Sequence, residues 1–396
     1  MKERSTRLNW LTCLIVLAYL ISCKQEPKWH TTISEAEGIT LVSSPSTPKF
    51  NANVLSLEED LSIGVDEGDE NYMFSFPVDI DSDLNGNIYV LDFKELTIKK
   101  YDSRGTFEKN ISRQGQGPGE LEYPFCFYVD LNDLIYILDY SEKKIEIFDV
   151  SGDYKKSIKL DISAEAMAAN PANEIIINHD ETVFEDEKSM KRISSIGILK
   201  EETNLITDFF SLNKPGFKAI QRGEEYRVEV PIEKFAIDPK GNIYIGTTNK
   251  YEISVYTPQG RLVSRFTRKF QPIPREPEIM NKVMDQLSKS TRANQLEEYR
   301  ELLKNHRVFE NISVDEKNRV WITLHQPPIG TVAPEGTIID IFSKEGEYIA
   351  QLRMNSKIER QIIFRNGYAY ALIQNEVGFA RAIRFKILES SDTRSN

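Results

Sequence analysis

The chain has few of the residues that build disulfides and metal centres, with three cysteines and four histidines among 396 residues. Cys13 and Cys23 lie near the N-terminus, so Cys126 is the only thiol of the remaining sequence and an intramolecular disulfide there is excluded. Cys126 stands inside the aromatic run Phe125–Tyr128, which favours a small buried side chain over a reactive thiol. The motifs HExxH, CxxC and Gly-x-Ser-x-Gly are also absent. These gaps favour a protein without catalytic activity, although they do not exclude an enzyme.

Basic charge is scarce as well. The formal net charge is −11, which leaves no basic footprint for DNA or RNA, and we expect no nucleic-acid partner. Long apolar runs are limited to Leu8–Ile21, which follows three basic residues and precedes Ser22 and Cys23. This pattern predicts a signal peptide over residues 1–22, since the run is short for a membrane span.

The end of that run looks like the lipobox of bacterial lipoproteins, in which the cysteine is lipid-modified and becomes the new N-terminus. An ordinary signal peptide or a short anchor helix is the alternative. Residues 23–51 contain Ser, Thr and Pro with little periodicity, which indicates a lipid anchor at Cys23 followed by a flexible tether. We therefore expect a membrane partner through the lipid and a location in the cell envelope, at the outer membrane, with the side undetermined.

A short strand signature recurs along the chain. In its first copy, alternating apolar residues over Phe76–Ile111 are separated by turns rich in Asp, Asn and Gly, which supply the positive φ of tight hairpins. Six copies of the second-strand motif can be aligned: Gly86–Tyr89, Asp133–Tyr136, Glu174–Ile177, Gly241–Tyr244, Arg319–Ile322 and Gly367–Tyr370. The third copy matches least well.

Six copies of a four-stranded antiparallel unit predict an all-β fold, a six-bladed β-propeller over residues 52–388 with a polar tail at 389–396. The last copy lacks a fourth strand, whereas Val54–Ile63 precedes the first copy without a partner. We therefore predict that this segment is the outer strand of the last blade, which ties the two ends of the ring together.

The pattern G-N-I-Y-V-x-D followed by I-x-x-Y-D-x-x-G, with Gly117-Pro118-Gly119-Glu120 between blades, resembles the NHL and TolB-like six-bladed propellers found among bacterial lipoproteins. The resemblance covers residues from about 52 to 388. It implies the fold and a cell-envelope location, and it implies no settled activity.

Long insertions concentrate on one face of the predicted ring. The strands of each blade are labelled A to D from the channel outward. The A–B and C–D turns are short. The long insertions fall at B–C or D–A positions: Asn178–Arg192, Ser211–Pro231, Gln271–Arg307 and His325–Gly336. The third contains an amphipathic helical insertion near residues 276–305, as one helix or two, which acts as a buttress or a lid. Because sites are commonly carried on loops over a rigid scaffold, we expect the site on this B–C/D–A face.

The first hypothesis is a non-enzymatic binding module for a peptide, glycan or protein at this face. Arg and Tyr are common at recognition surfaces, and two histidines fall in the same loops. The candidate ligand-binding residues are Arg113, Gln114, Glu120, Tyr140, His179, Arg222, Tyr226, His325 and Gln374.

The alternative is a calcium-dependent hydrolase of the lactonase or esterase kind, because some six-bladed propellers hold calcium in the central channel. Its candidate ligands here are Glu70, Glu120 and Asn375. Turn chemistry is the stronger explanation of the Gly-Pro-Gly-Glu loop, since the glutamate can cap neighbouring backbone N–H groups. We expect no cofactor and no catalytic residue.

Overall fold

Six antiparallel sheets stand around a central channel, and each sheet comes from one copy of the sequence repeat. The computed structural model describes residues 29–50, 54–186, 189–215, 231–288, 293–327, 336–374 and 380–390. Successive blades contact one another around the ring, and the sixth blade contacts the first. The protein is therefore an all-β six-bladed propeller, as the sequence predicts.

The first three blades follow the chain directly. The strands of blade one, from the channel outward, are Pro77–Ser82, Ile88–Asp92, Thr97–Tyr101 and Phe107–Ile111. Those of blade two are Pro124–Val129, Leu134–Asp139, Lys144–Asp149 and Tyr154–Lys159. Those of blade three are Ser163–Ala169, Ile175–Asp186, Ser189–Lys200 and Leu205–Pro215. A two-stranded bridge, Arg113–Gln114 with Glu120–Leu121, joins blades one and two.

Two of the last three blades, the fourth and the sixth, include strands from the N-terminal part of the chain. Blade four consists of Glu233–Ile237, Ile243–Thr247, Ile253–Tyr256 and Leu262–Arg268, followed by the added strands Ile39–Ser44 and Thr32–Ala36. Blade five consists of Phe309–Val314, Val320–Leu324, Thr337–Phe342 and Tyr348–Met354. Blade six consists of Ile363–Arg365 with Lys357–Ile358, then Tyr368–Gln374, Ala380–Glu389 and Leu55–Ile63.

Side-chain hydrogen bonds close the tight turns between the first and second strands of five blades. In blade one, Asp83 Oδ1 accepts from the backbone N–H groups of Asn85 and Asn87, at 2.9 Å each. In the next four blades the equivalent backbone N–H bonds are accepted by the side chains of Asp130, Asn170, Asp238 and Asp315. The chain reverses with φ at 80° at Gly86, which glycine adopts without strain. The Asp and Gly signals of the sequence therefore have a direct structural role.

Both faces of each blade are buried against a neighbour, which explains the unbroken apolar runs of the second strands. Tyr89 and Leu91 face blade two, where they pack in one cluster with Phe127. Ile88 and Val90, one residue out of phase, pack instead with Tyr370 of blade six. Because successive side chains on a strand point to opposite faces, both phases must be apolar in a blade that is covered on both sides.

The predicted closing strand exists. Leu55–Ile63 pairs antiparallel with Ala380–Glu389, from Leu55 opposite Glu389 to Ile63 opposite Ala382. Asp60 pairs with Arg384 at 2.6 Å and with Lys386 at 2.7 Å, and these bonds lower the pKa of the Asp60 carboxyl. The N-terminal strand therefore completes the last blade and removes an open edge.

The prediction of a flexible tether over residues 23–51 is wrong for its second half. Thr32–Ala36 and Ile39–Ser44 form a hairpin, and Ile39–Ser44 adds in parallel to the outer strand of blade four. Further along, the Lys49 N–H donates to Tyr348 O of blade five at 2.9 Å. Free backbone groups at the edges of blades four and five hold this segment. Residues 1–28 lie outside the described residues, and so does the expected lipid attachment at Cys23.

Two of the expected loops contain regular structure. The insertion Asn178–Arg192 continues the strands Ile175–Asp186 and Ser189–Lys200 beyond the blade as a ribbon. The helical insertion consists of two helices, Pro277–Ser288 and Ala293–Leu303, which pack on each other through Met280, Met284 and Tyr299. Among the described residues that line the channel, none comes from either helix, which favours the buttress over the lid.

We expect Ile63→Ala to destabilise the ring by about 2–4 kcal/mol, because Ile63 is only 2% exposed and packs with Tyr370 and Ile80. Thermal and urea unfolding measure this change. Ser62→Ala, on the exposed side of the same strand, is the matched control. Equal melting of the two variants would contradict a structural role for the closing strand.

Candidate functional site

The innermost strands of all six blades surround a cavity of about 950 Å³ on the channel axis. The chain enters each innermost strand at the face that also carries the B–C loops, since Pro77 pairs with Asp92 and Pro124 pairs with Asp139. The D–A connections therefore open onto the same face as the B–C loops, as the sequence predicts. This face, hereafter the loop face, contains one mouth of the channel.

Most charged groups of the channel wall have a partner. Arg365 pairs with Asp81 at 3.4 Å and also donates to Val129 O at 2.9 Å. Lys357 pairs with Glu359 at 2.9 Å. Glu310 pairs with His325 and, at 3.7 Å, with Arg307. Glu165 pairs with Arg192. The wall is therefore polar and largely satisfied within itself.

Asp79 has a distinctive environment in this wall. Its carboxylate accepts from the N–H groups of Ile80 and Phe127 at 3.0 Å each, and so connects blade one to blade two. Burial and the neighbouring charge of Asp81 nevertheless raise the pKa of Asp79 to about 7, although the two N–H donors and Arg360 act in the opposite direction. The charge of the channel therefore changes near neutral pH.

Three basic side chains come from three other blades. Lys234 belongs to blade four, Arg307 precedes the innermost strand of blade five, and Arg360 lies between the two short inner strands of blade six. Burial and the positive charges of Arg307 and Arg360 lower the pKa of Lys234 to about 8. Among the described residues, the side chains of Lys234 and Arg360 form no ion pair or hydrogen bond, whereas that of Arg307 contacts Glu310.

An exposed row of aromatic rings leads across the loop face to the channel mouth. Phe76, Tyr123, Phe125 and Tyr140 are 55%, 43%, 42% and 39% exposed, and Phe93 lies half-buried between them. Ring centroids are 6.0 Å apart for Phe76 and Phe93, and 4.7 Å apart for Phe93 and Tyr123. Tyr140 lies 6.1 Å from Tyr123 and 6.3 Å from Phe125, which also lines the channel. These five residues are hereafter the aromatic row.

Two equivalent carboxylates hold the row in place. Asp92 accepts from the N–H groups of Ser75 and Phe76 in blade one, and Asp139 accepts from those of Glu122 and Tyr123 in blade two. The backbone N–H of Phe93 donates to Phe76 O, and that of Tyr140 donates to Tyr123 O, at 2.9 Å each. The row is therefore fixed by the blade scaffold.

The sequence contains a signal for the row, which is visible only when two repeats are compared. Phe76-Pro77 followed by Leu91-Asp92-Phe93 recurs as Tyr123-Pro124 followed by Leu138-Asp139-Tyr140. The same backbone bond joins Ile232 with Thr248 and Val308 with His325, where the side chains are not aromatic pairs. Only blades one and two thus build the row among the described blades.

The expected site residues do not form one cluster. Arg113 and Glu120 pair with each other at 2.9 Å, and Glu120 also accepts from Gly117 N–H, which lowers the pKa of Glu120. The glutamate therefore caps its own loop, with Gln114 exposed beside it. Tyr140 belongs to the aromatic row. None of these four residues lines the channel itself, and Tyr140 is linked to it through Phe125 of the row.

The remaining candidates are scattered. His179 lies inside blade three and bonds to Asp208 Oδ1 at 2.8 Å, away from the channel lining. His325 contacts the wall through Glu310, and its ring stacks 6.0 Å from that of His306. Gln374 is exposed at the end of its strand. Arg222 and Tyr226 lie outside the described residues.

The described residues offer no ready metal centre. Among them, no three His, Cys, Asp or Glu side chains come together in a way that could hold a metal ion. Glu70 is exposed in a short 3₁₀ helix, Glu120 is engaged in its own loop, and Asn375 lies outside the described part of the chain. Cys126 is half-buried in the channel wall, and burial raises the pKa of its thiol, which keeps the thiol protonated.

Comparison with known proteins agrees with this architecture. Residues 77–218 match the profile of the DUF5128 family, described as six-bladed β-propellers. The chain is a six-bladed β-propeller. No curated protein matches the sequence.

Three solved propellers are similar over nearly their whole length. A protein from Bacteroides fragilis named as an exported protein is 13% identical, with a TM-score of 0.53 over 88% of this propeller chain and 100% of its own. A DUF4221 family member from Bacteroides vulgatus is 11% identical, with a TM-score of 0.55 over 86% and 100%. A gluconolactonase from Xanthomonas campestris is 9% identical, with a TM-score of 0.46 over 91% and 99%. Likenesses at this identity concern the fold alone.

We expect Asp79→Asn to change how the stability of the propeller depends on pH. Between pH 4 and 7 the folded protein keeps a proton on Asp79 that the unfolded chain releases near pH 3.8, so stability falls as pH rises through this window. Asparagine removes this slope, which is at most about 1.4 kcal/mol per pH unit. The variant therefore gains on the wild type from pH 4.5 to pH 7.

Thermal unfolding at several pH values measures this difference. Asp60→Asn is the control of opposite sign, because the lowered pKa of Asp60 gives a contribution that is complete above pH 4 and is lost only in acid. Its melting difference from the wild type stays constant over the same window. A constant difference for Asp79→Asn as well would show that the Asp79 pKa is not raised.

Proposed function

We propose that this propeller is a carbohydrate-binding module of the cell envelope, which binds a glycan on its loop face. The observation that carries the proposal is the aromatic row, four of whose rings are exposed on a scaffold that holds them fixed. A contiguous group of exposed aromatic side chains is typical of an interaction surface, whereas single exposed apolar residues are common on any protein. The row also ends at Phe125 in the channel mouth, so one ligand can contact both.

The groups beside the rings favour a sugar. Aromatic faces pack against the apolar faces of sugar rings, while carboxylates and amides bond to sugar hydroxyls. Glu95 bonds to Ser75 beside Phe76, and Glu122 bonds to Gln116 and Ser141 beside Tyr123. A rigid aromatic surface bordered by hydrogen-bonding groups suits a glycan chain better than a wholly apolar partner.

The alternative of a calcium-dependent lactonase or esterase has no specific observation in its favour among the described residues. The candidate ligands Glu70 and Glu120 lie outside the channel lining. We therefore propose a binding protein without a cofactor, and metal analysis of the purified protein tests the calcium alternative.

The proposed location is the cell envelope, with attachment through a lipid on Cys23. The lipobox-like sequence supports it, and so does the likeness to a Bacteroides fragilis protein named as an exported protein. None of the helices in the described part of the chain is both long and apolar enough to cross a bilayer. The NHL and TolB-like resemblance of the repeat motif is part of the same proposal.

We expect Tyr123→Ala to weaken glycan binding about 10-fold or more, since a buried aromatic contact at a recognition site contributes on the order of 1–3 kcal/mol. A glycan array with the purified full-length protein identifies the ligand, and calorimetry measures its affinity. Phe184→Ala is the control, because Phe184 is 74% exposed on the blade-three ribbon and lies outside the row. Unchanged affinity in Tyr123→Ala, or selective capture of peptides by the row, would contradict the glycan proposal.

We expect Cys23→Ser to release the protein from the membrane fraction, because serine cannot accept the thioether-linked lipid. Fractionation of cells expressing either form, with an immunoblot for the propeller, measures this. Membrane association of a Cys23→Ser protein whose signal peptide has been cleaved would rule out lipid attachment at this residue.

A further inference from the structure

Two cations of the channel wall lack the partners that the other channel charges have. Lys234 and Arg360 both line the 950 Å³ cavity, and among the described residues neither side chain forms an ion pair or a hydrogen bond. Lys234 is half-buried and Arg360 is exposed, so both charges are open to a ligand that enters the cavity. Such groups in a cavity are therefore candidates for binding a charge of opposite sign.

The acidic groups nearby are already engaged. Glu165 pairs with Arg192, and Glu310 pairs with His325 and Arg307. Asp79 accepts two backbone N–H bonds and lies beyond ion-pair distance of Arg360, while Asp81 pairs with Arg365. A small rearrangement inside the wall would have to break one of these contacts to neutralise Lys234 or Arg360.

The two cations lie in one region of the channel. The charge of Arg360 acts on both Lys234 and Asp79, and the charges of Arg307 and Glu310 also act on Lys234. Lys234 comes from blade four and Arg360 from blade six, so they approach the axis from separate parts of the ring, with blade five between them. An anionic group on the axis can thus be contacted from more than one side.

We propose that Lys234 and Arg360 form an anion site in the channel that binds the carboxylate of an acidic sugar. Arg presents two parallel N–H donors that match a carboxylate, and Lys adds a compact charge. Glu165 and Glu310 in the same wall repel a doubly charged phosphate more strongly than a singly charged carboxylate. The cavity is also large enough for a sugar ring.

This inference rests on the proposed glycan-binding function and specifies its ligand. Phe125 connects the aromatic row to the cavity, so a chain bound along the row can insert a terminal uronic acid into the channel. The row then binds the neutral part of the glycan, and the two cations select the acidic end.

The test uses the purified full-length protein and three probes: glucuronate, succinate and inorganic phosphate, with glucose as the neutral analogue of glucuronate. Calorimetry and thermal shift measure binding to the wild type, to Lys234→Met and to Arg360→Gln. Arg104→Gln is the control, since Arg104 is exposed at a turn on the opposite face and pairs with Asp102. Charge-assisted hydrogen bonds predict a loss of about 10- to 100-fold in glucuronate affinity for each channel variant.

The expected result is binding of glucuronate but not glucose, with loss in both channel variants and none in Arg104→Gln. Equal binding of succinate would assign the site to aliphatic acids and overturn the acidic-sugar assignment, and preferential phosphate binding would overturn the carboxylate. Absence of binding by every probe at about 10 mM would overturn the anion site.

The two proposals fail in different ways. Glucuronate binding that depends on Lys234 and Arg360, without any oligosaccharide binding that depends on Tyr123, would contradict the glycan-binding function and leave the anion site. Neutral oligosaccharide binding through Tyr123, with no preference for acidic ends, would contradict the anion site alone.

Discussion

Closure of the ring is the constraint on which the rest of this structure depends. Every blade buries both faces against neighbours, so a blade at an open end would expose an apolar face and an unpaired edge. The protein avoids this by pairing Leu55–Ile63 with Ala380–Glu389, segments from the two ends of the propeller. Once the ring is closed, the six innermost strands are fixed around one axis, and side chains distant in sequence meet in the channel.

The fold could be predicted because its determinants are local. Each blade is indicated within a few tens of residues of sequence. The signals are turn residues such as Asp83 and Gly86, and apolar residues in both phases of the second strand. The closing strand followed from counting strands. The hairpin at Thr32–Ala36 and Ile39–Ser44 was missed because its partner, Leu262–Arg268, lies more than 200 residues further along the chain.

The candidate site was predicted at the level of a face, and its residues largely were not. Lys234 lies in an ordinary amphipathic strand and Arg360 lies in a bend, and nothing in the sequence near either residue indicates that blades four and six bring them to one cavity. His179 and Glu120 were predicted as site residues from their side-chain type and loop position. In the structure His179 bonds to Asp208, and Glu120 accepts from Gly117 N–H. The aromatic row could have been predicted, since its sequence pattern recurs in two successive repeats.

The position of the N-terminal hairpin has a consequence for how the propeller is oriented. In a ring of six, blade four stands opposite blade one, so the hairpin on blade four and Phe76 of the aromatic row lie on opposite sides. From Cys23 to Thr32 the chain can extend at most about 30 Å. The proposed lipid at Cys23 would therefore tether the propeller by its blade-four rim, on the side of the ring away from the aromatic rings.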